Sequence, residues 1–158
     1  EWSRERLRRL LFGEPIPQLI GEPRGGGTAT GPPLVANLTV ASHLLGSPLM
    51  PSLQGTILIL EDVGEAPYRI DRMLTHWRLC GALQSVAGIG FGRFEGCNAP
   101  DDDHTSFSLT DVLQERTDDL GLPVVMDLPV GHICGNSALP LGKLARLDGD
   151  RGELSLMS

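Results

Sequence analysis

The sequence predicts an α/β fold in which helices flank a mixed β-sheet, and three observations support this prediction. Apolar runs with strand character alternate with stretches of helical spacing in the earlier part of the chain. Two short strand patterns near the carboxyl end, separated by Asp148-Gly149-Asp150, predict an antiparallel hairpin. The length of 158 residues and the apolar content of 41% suffice for one domain with a hydrophobic core. Strands that alternate with helices and are followed by an antiparallel hairpin indicate a mixed sheet.

The N-terminal half is predicted to hold two helices, a loop and one buried strand. Arginines interleaved with leucines over residues 4–12 indicate a helix that ends at Gly13. The Gly- and Pro-rich stretch Gly21–Thr28 has no Lys-Ser or Lys-Thr after it, so it is interpreted as a flexible turn and not as a phosphate-binding loop. Apolar spacing predicts a helix over Leu34–Leu45, and the branched run Thr56–Leu60 predicts a buried strand.

The C-terminal half is predicted to alternate helices with strands before the final hairpin. Glycines alternate with apolar residues in Val86–Phe94, which is typical of a crowded strand. This run lacks the third glycine and the helix start of a dinucleotide-binding fingerprint, so it does not indicate a cofactor. The remaining predicted elements are helices over Ile70–Leu83 and Leu109–Leu120 and strands over Val124–Met126, Lys143–Leu147 and Glu153–Met157.

Charge and composition narrow the classes of function. A net charge of −7 disfavours nonspecific binding to nucleic acid or to an anionic membrane. No apolar run reaches the roughly 18–20 residues that cross a bilayer, and no signal-peptide pattern opens the chain, so a soluble protein is predicted. Three cysteines (Cys80, Cys97 and Cys134) without CxxC spacing favour the reducing cytoplasm.

An acidic loop is the one candidate for a metal site. Asp101, Asp102 and Asp103 lie between Asn98 and His104, but no EF-hand spacing follows them. Helix capping and solvation explain these aspartates more simply. The sequence therefore predicts neither a metal nor a cofactor.

A carboxylate and an imidazole follow two of the predicted strands. Glu61 and Asp62 come directly after Thr56–Leu60, and His132 follows Gly131 just beyond the short strand at Val124–Met126. Because the carboxyl ends of parallel strands meet at one edge of a sheet, the two groups could share a cleft. Such a pair forms two thirds of a nucleophilic triad, in which the acid orients the imidazole that takes the nucleophile's proton.

The residues themselves leave a structural alternative open. The other histidines lie in helical patterns (His43, His76) or in the acidic loop (His104), where packing, surface or charge-neutralising roles are expected. No Gly-x-Ser-x-Gly elbow occurs, and Ser42, Ser47, Ser106 and Ser137 lie in helix, turn or loop contexts. The sequence thus supplies a base and an orienting acid without a nucleophile. In the alternative interpretation, Glu61 caps a helix and His132 is a turn residue of a noncatalytic module.

Four stretches in a fixed order carry a family resemblance. They are residues 59–74 (Ile-Leu-Glu-Asp-Val-Gly-Glu-Ala-Pro-Tyr-Arg-Ile-Asp-Arg-Met-Leu), Asn37-Leu38 with Gly46-Ser47-Pro48, Gly90–Phe94, and Gly131-His132 with Leu139-Pro140-Leu141-Gly142. Together they resemble the LD-carboxypeptidase family, which includes muramoyl-tetrapeptide carboxypeptidases and microcin C self-immunity hydrolases. The resemblance extends over residues 28–158. Val35-Ala36 stands where the family has paired glycines, so a close backbone approach at that point is not expected.

The resemblance implies a serine peptidase that uses neither metal nor cofactor, with a swivelling β/β/α-type C-terminal domain. Glu61 is then the triad carboxylate and His132 the general base, while Asp62, Glu65, Arg69 and Arg72 frame the following loop and helix through structural contacts. The Ser belongs to an N-terminal domain outside this chain. Residues 1–27 are expected to be the end of a linker helix and loop, and 28–158 the C-terminal domain.

The function implied is hydrolysis of the terminal L,D-amide bond of murein tetrapeptides in the cytoplasm, with this chain inactive by itself. Expected partners are the Ser-bearing domain and the murein peptide, and family members also form homodimers. A second hypothesis, from the self-immunity branch, is cleavage of a toxic peptide or aminoacyl nucleotide. That hypothesis needs aromatic residues able to stack on a base, and the candidates are Trp2, Tyr68 and Trp77.

Overall fold

Two β-sheets and one layer of helices build the domain in the computed structural model, which describes residues 1–98 and 107–157. The helices are α1 (Trp2–Leu11), α2 (Leu38–Ser42), α3 (Pro67–Leu79), α4 (Ala82–Ser85) and α5 (Leu109–Glu115), followed by a 3₁₀ turn at Asp118–Leu120. The strands are β1 (Leu19–Ile20), β2 (Glu22–Pro23), β3 (Thr28–Gly31), β4 (Pro33–Asn37), β5 (Ile57–Val63), β6 (Gly88–Glu95), β7 (Val124–Met126), β8 (Ala145–Asp148) and β9 (Glu153–Leu156).

The central sheet has the strand order β2-β7-β6-β5-β4. Strands β4 to β7 run parallel, and the edge strand β2 is antiparallel to β7, so the sheet is mixed as predicted. The second sheet, β1-β9-β8-β3, is entirely antiparallel and contains the predicted C-terminal hairpin. The sequence predicted one sheet, because β1 and β2 have two residues each and leave no periodic pattern to detect.

Alternation along β5 explains the layering. Ile57 and Ile59 pack into the core between the two sheets, whereas Leu58 and Leu60 pack into the core beneath the helices. All four side chains are fully buried, as expected for a central parallel strand covered on both faces. The fold is therefore a β/β/α arrangement, which confirms the predicted α/β class with flanking helices.

The glycines of β6 allow close packing on the face toward the second sheet, where a Cβ on Gly88 would lie 3.0 Å from Leu147 of β8. A Cβ on Gly90 would lie 2.8 Å from Leu128 and 3.2 Å from Ile59, and one on Gly92 would lie 2.4 Å from the Val130 carbonyl oxygen. The prediction of a crowded strand is confirmed, with β6 running to Glu95. Close packing, and not cofactor binding, accounts for these glycines.

Several predicted boundaries are wrong. The helix predicted over 34–45 is strand β4 followed by the short helix α2, because the run pairs with β5 from Pro33 to Asn37 before Asn37 caps the helix. The loop Gly21–Thr28 includes β2, and the Arg24 and Gly25 amides donate to the Gly149 carbonyl, so the turn is held in place.

Other elements shift more modestly. The helix expected over 70–83 begins earlier, with Pro67 in its first turn, and ends at Leu79 before the separate helix α4. The helix expected over 109–120 ends at Glu115 and continues as the 3₁₀ turn. A capping box between Ser108 and Asp111 starts α5. Within the described residues, no helix has the length and apolar character required to cross a bilayer.

The N-terminal helix is fastened to the domain by one buried arginine. Arg6 is 3% exposed; its Nε donates to the Ala138 carbonyl at 3.0 Å and its Nη1 to the Pro17 carbonyl at 2.7 Å. Burial lowers the pKa of this guanidinium. The division of the chain at residues 27 and 28 stays a prediction.

Candidate active site

The Glu61 carboxylate and the His132 ring are hydrogen-bonded to each other. Glu61 Oε2 lies 2.8 Å from His132 Nδ1, a contact between residues 71 positions apart in sequence. The carboxylate side chain is 8% exposed and the ring is 57% exposed. The acid is therefore held inside the protein, while His132 Nε2 makes no hydrogen bond with any other described residue. The distance meets the geometric condition for an acid that orients an imidazole.

The position of Glu61 follows from the alternation of β5. Both acids lie within the strand, which continues to Val63, so the prediction that they follow it is wrong. Glu61 has the same parity as Ile59 and points toward the second sheet, whereas Asp62 points toward the helices. Two neighbouring acids thereby enter different surroundings.

A β-bulge in β6 makes room for this contact. Leu60 pairs with Phe91 but Asp62 pairs with Phe94, so Gly92 and Arg93 together lie opposite Glu61. A Cβ on Gly92 would lie 3.1 Å from Glu61 Cβ, and the glycine avoids this crowding.

The same bulge fixes the segment that leads to His132. The Arg93 amide donates to the Val130 carbonyl at 2.8 Å. The extra residue of β6 therefore both frees space beside the acid and holds the chain just before the imidazole.

Asp62 is a structural acid. Its carboxylate is 2% exposed and accepts hydrogen bonds from Asn37 Nδ2 at 3.1 Å and the Val63 amide at 2.8 Å. Its other oxygen accepts from the Thr39 amide at 2.9 Å and the Thr39 hydroxyl at 2.7 Å. Asn37 also caps α2, since its Oδ1 accepts from the Val40 amide at 3.0 Å. This network joins β4, β5 and α2 without involving His132.

The electrostatics of the pair favour a charged imidazole. The hydrogen bond that the ring donates to Glu61 raises the pKa of His132, the Coulombic attraction of the same carboxylate adds to it, and Asp62 contributes in the same direction. Desolvation of the ring opposes these effects; it is smaller than either effect of Glu61 and larger than that of Asp62. An acid that stabilises the imidazolium suits a group that must accept a proton.

A cavity of about 380 Å³ lies beside the pair. Its lining mixes apolar and polar side chains and comes from β4, from β5, from the loop after β7 and from the segment before β8. The lining residues are Val35, Ala36, Asn37, Glu61, Val130, Gly131, His132, Asn136, Ser137, Leu139 and Leu141. Glu61 and His132 are its charged or titratable members. None of these lining residues is Phe, Tyr or Trp.

The candidate stacking residues lie elsewhere in the described part of the chain. Trp77 is fully buried in the helix-side core, and its Nε1 donates to Ser42 at 2.8 Å. Trp2 lies over Arg6, and Tyr68 lies beside Arg69 and Arg72.

The other singled-out residues make local contacts. His43 Nδ1 lies 2.7 Å from the Thr39 carbonyl oxygen, and His76 is exposed on α3. Glu65 pairs with Arg69 at 3.4 Å, which agrees with a framing role. The Ser42, Ser47 and Ser137 side chains bond to nearby groups and none is bonded to His132. His104, Ser106 and the aspartates Asp101, Asp102 and Asp103 lie outside the described residues.

The structure also removes the helix-capping interpretation of Glu61. Helix α3 has Ala66 at its N-cap position with no side-chain cap, and the Glu61 carboxylate bonds to His132 instead. Within the described ranges, no group of three or more His, Cys, Asp or Glu side chains is arranged to hold a metal ion. Sequence reasoning missed Asn136, whose side chain accepts from the Gly131 amide in the His132 loop. It also missed the hydrogen bonds of Asp62, for which Asn37, at the junction of β4 and α2, was the available signal.

An acid bonded to an imidazole at the carboxyl edge of the parallel strands is an arrangement that triad hydrolases use. A family profile described as the LD-carboxypeptidase C-terminal domain matches residues 30–147. The chain belongs to the LD-carboxypeptidase family, which confirms the family predicted from its motifs.

Individual relatives agree with this assignment. The chain is 49% identical to a putative carboxypeptidase of Synechocystis sp. over 157 residues, covering 99% of this chain and 52% of that protein. It is 34% identical to the murein tetrapeptide carboxypeptidase of Pseudomonas aeruginosa, covering 92% of this chain and 47% of that protein.

A solved structure shows the same fold. The crystal structure of muramoyltetrapeptide carboxypeptidase from Oxalobacter formigenes aligns with a TM-score of 0.83 at 29% identity, covering 98% of this chain and 54% of that one. The chain thus spans about half the length of the relatives it matches.

Proposed function

We propose that this chain is the Glu- and His-bearing half of a serine LD-carboxypeptidase that removes the terminal D-residue from murein tetrapeptides. The observation that carries the proposal is the 2.8 Å contact between the buried Glu61 carboxylate and Nδ1 of the exposed His132 ring. A serine from a second domain, outside this chain, is the proposed nucleophile. No metal or cofactor takes part in the proposed mechanism.

The proposed mechanism assigns one task to each group. His132 Nε2, on the side of the ring away from Glu61, takes the proton of the incoming serine hydroxyl as the serine attacks the L,D-amide carbonyl. Glu61 holds the tautomer with a proton on Nδ1 and stabilises the imidazolium that forms. The same Nε2 then donates its proton to the amine of the departing D-residue, and water hydrolyses the acyl-enzyme in the reverse sense.

The substrate assignment is supported by the names of the relatives and by the cavity beside the pair. Murein tetrapeptide carboxypeptidase and muramoyltetrapeptide carboxypeptidase are both among the proteins this chain resembles. The apolar part of the lining, which includes Val35, Leu139 and Leu141, suits a small aliphatic side chain at the cleaved bond. Cleavage of a toxic peptide or aminoacyl nucleotide is the alternative; the cavity lining includes no Phe, Tyr or Trp side chain on which a base could stack.

A polypeptide that joins this chain to a Ser-bearing domain provides the test. Release of the terminal D-residue from a murein tetrapeptide is followed by mass spectrometry for the unaltered protein, Glu61→Gln and His132→Gln. Each substitution is expected to lower kcat by about a thousandfold or more, because triad members act as a unit. His76→Gln, on the exposed face of α3, is the matched control and keeps full activity.

The isolated chain gives the complementary result. It is expected to show no tetrapeptide cleavage, since the nucleophile comes from another domain. Cleavage by the 158-residue chain alone that disappears in His132→Ala would contradict the assignment of the serine. Full activity of Glu61→Gln in the joined polypeptide would contradict the assignment of the acid.

A further inference from the structure

The loop that carries His132 is closed by two side chains to which the proposed mechanism gives no task. The Gly131 amide donates to Asn136 Oδ1 at 3.1 Å. Next to it, the Ser137 hydroxyl and amide both donate to the Pro129 carbonyl, at 2.6 and 2.9 Å. Residues 129–137 therefore leave the central sheet and return on themselves, with Asn136 and Ser137 as the fastening.

Gly131 is the residue whose conformation aims His132. Its φ is +132°, and an added Cβ would lie 3.0 Å from both the Arg93 carbonyl oxygen and Glu61 Oε2. Only glycine fits between these oxygens, yet glycine has the widest backbone freedom of any residue. The peptide between Val130 and Gly131 must therefore be fixed to hold the next side chain in one direction. Its carbonyl accepts from the Arg93 amide, and its N–H donates to Asn136, the side chain that contacts it.

We infer that Asn136 is a positioning residue whose side-chain oxygen, acting through the Gly131 peptide, keeps the His132 ring against Glu61. Because the Gly131 amide is a donor, the atom facing it must be the amide oxygen, which fixes the orientation of the Asn136 side chain. Asn136 also lies on the wall of the cavity beside the pair, so its loss changes the loop where the imidazole enters the site. The consequence for catalysis rests on the proposed function.

The first measurement uses the 158-residue chain and needs no nucleophile. NMR titration of His132 is compared for the unaltered chain, Asn136→Ala, Asn136→Asp and the control Asn98→Ala at an exposed asparagine. Asn136→Ala is expected to lower the pKa of His132, because a freed ring spends less time bonded to Glu61. Asn136→Asp keeps the acceptor and should not lower the pKa, and the control should titrate like the unaltered chain.

The second measurement is steady-state cleavage of the tetrapeptide by the polypeptide joined to the Ser-bearing domain. Asn136→Ala is expected to lower kcat about three- to tenfold, the worth of one net hydrogen bond, with KM unchanged. Asn136→Asp should recover most of that loss. If Asn136→Ala does not fold, Asn136→Ser replaces it, since a serine hydroxyl is too short to reach the Gly131 amide.

The two measurements distinguish the positioning role of Asn136 from the catalytic role of His132. A His132 titration that is the same in the unaltered chain and in Asn136→Ala or Asn136→Ser overturns the positioning role. A lowered pKa together with unchanged kcat supports the positioning role and removes the catalytic role of His132. A lowered pKa with a lowered kcat that Asn136→Asp restores supports both.

Discussion

Exchanging the two neighbouring acids of β5 for their amides should have opposite consequences. Asp62→Asn is expected to destabilise the fold and leave the Glu61–His132 contact in place, whereas Glu61→Gln is expected to disturb His132 and leave the stability nearly unchanged. The substitutions are nearly isosteric, so the difference reports what each carboxylate contacts and not its volume.

The magnitude for Asp62 follows from its four hydrogen bonds. One oxygen accepts from Asn37 Nδ2 and the Val63 amide, and the other accepts from the amide and hydroxyl of Thr39. Asparagine turns one of these oxygens into a donor. If that donor faces Thr39, the hydroxyl can rotate and accept, but the amide loses its acceptor. A buried donor without a partner costs about 1–3 kcal/mol, and the remaining bonds lose their charge, so about 2–4 kcal/mol is expected.

The expected loss of unfolding free energy is smaller for Glu61→Gln, because the Glu61 carboxylate has different surroundings. Its partner, the His132 ring, is 57% exposed, and such pairs contribute about 1 kcal/mol or less. No buried side-chain oxygen or nitrogen among the described residues is left without a partner, so the second Glu61 oxygen reaches the cavity, where an amide group would remain hydrated. Glutamine also keeps an acceptor for the Nδ1 proton.

Urea unfolding followed by the fluorescence of the fully buried Trp77 measures both effects in the isolated chain. For a domain of this size, 2–4 kcal/mol corresponds to a loss of about 5–15 °C in Tm. An Asp62→Asn chain as stable as the unaltered one, or a Glu61→Gln chain that loses just as much, would refute the division of roles between the two acids.

Three further outcomes follow from the same geometry. Glu61→Gln should lower the pKa of His132, seen as an NMR titration at lower pH, because the carboxylate is the main cause of the raised value; an unchanged titration would contradict the contact. The pair should stabilise the fold fully below the ordinary imidazole pKa of about 6.5 and lose that contribution as pH rises through the raised pKa, so the unfolding free energies of the unaltered chain and His132→Gln should converge at alkaline pH. Gly92→Ala should cost about 1–3 kcal/mol in urea unfolding, because its Cβ would meet the Val130 carbonyl oxygen, whereas Gly88→Ala, which faces the movable Leu147 side chain at 3.0 Å, should cost less; equal costs would argue against a rigid contact at the bulge.

The sequence singled out Glu61 and His132, whose side chains lie 2.8 Å apart in the structure, and their catalytic roles stay a prediction. A run of five branched apolar residues is long enough to identify β5, and a Gly-His step after a short strand is specific enough to select His132 from the other histidines. The prediction of a helix at Leu34-Val35-Ala36 was wrong because a short apolar run fits a helix and a strand equally well. Pairing with β5, a contact between distant residues, decides the outcome.

The Asp62 network lay beyond sequence reasoning for the same reason. Asn37 is recognisable as a helix start, but its second role depends on the register that sets it beside Glu61 across β4 and β5. Likewise, the bulge in β6 is invisible in the chain of alternating glycines, since only the pairing with β5 shows that Gly92 and Arg93 share one position.

That shared position explains how a strand covered on both faces can present an acid at the cavity. In a regular ladder the residue opposite Glu61 would carry its side chain toward the second sheet, and its amide would bond to β5. With two residues of β6 opposite Glu61, Gly92 leaves space beside the carboxylate and the Arg93 amide donates to the Val130 carbonyl at 2.8 Å. Since His132 follows Val130 by two residues, a single irregularity brings the acid and the imidazole to the same edge of the sheet. The alternation of β5 then keeps Asp62 on the opposite face, where it holds the fold together and stays out of the cavity.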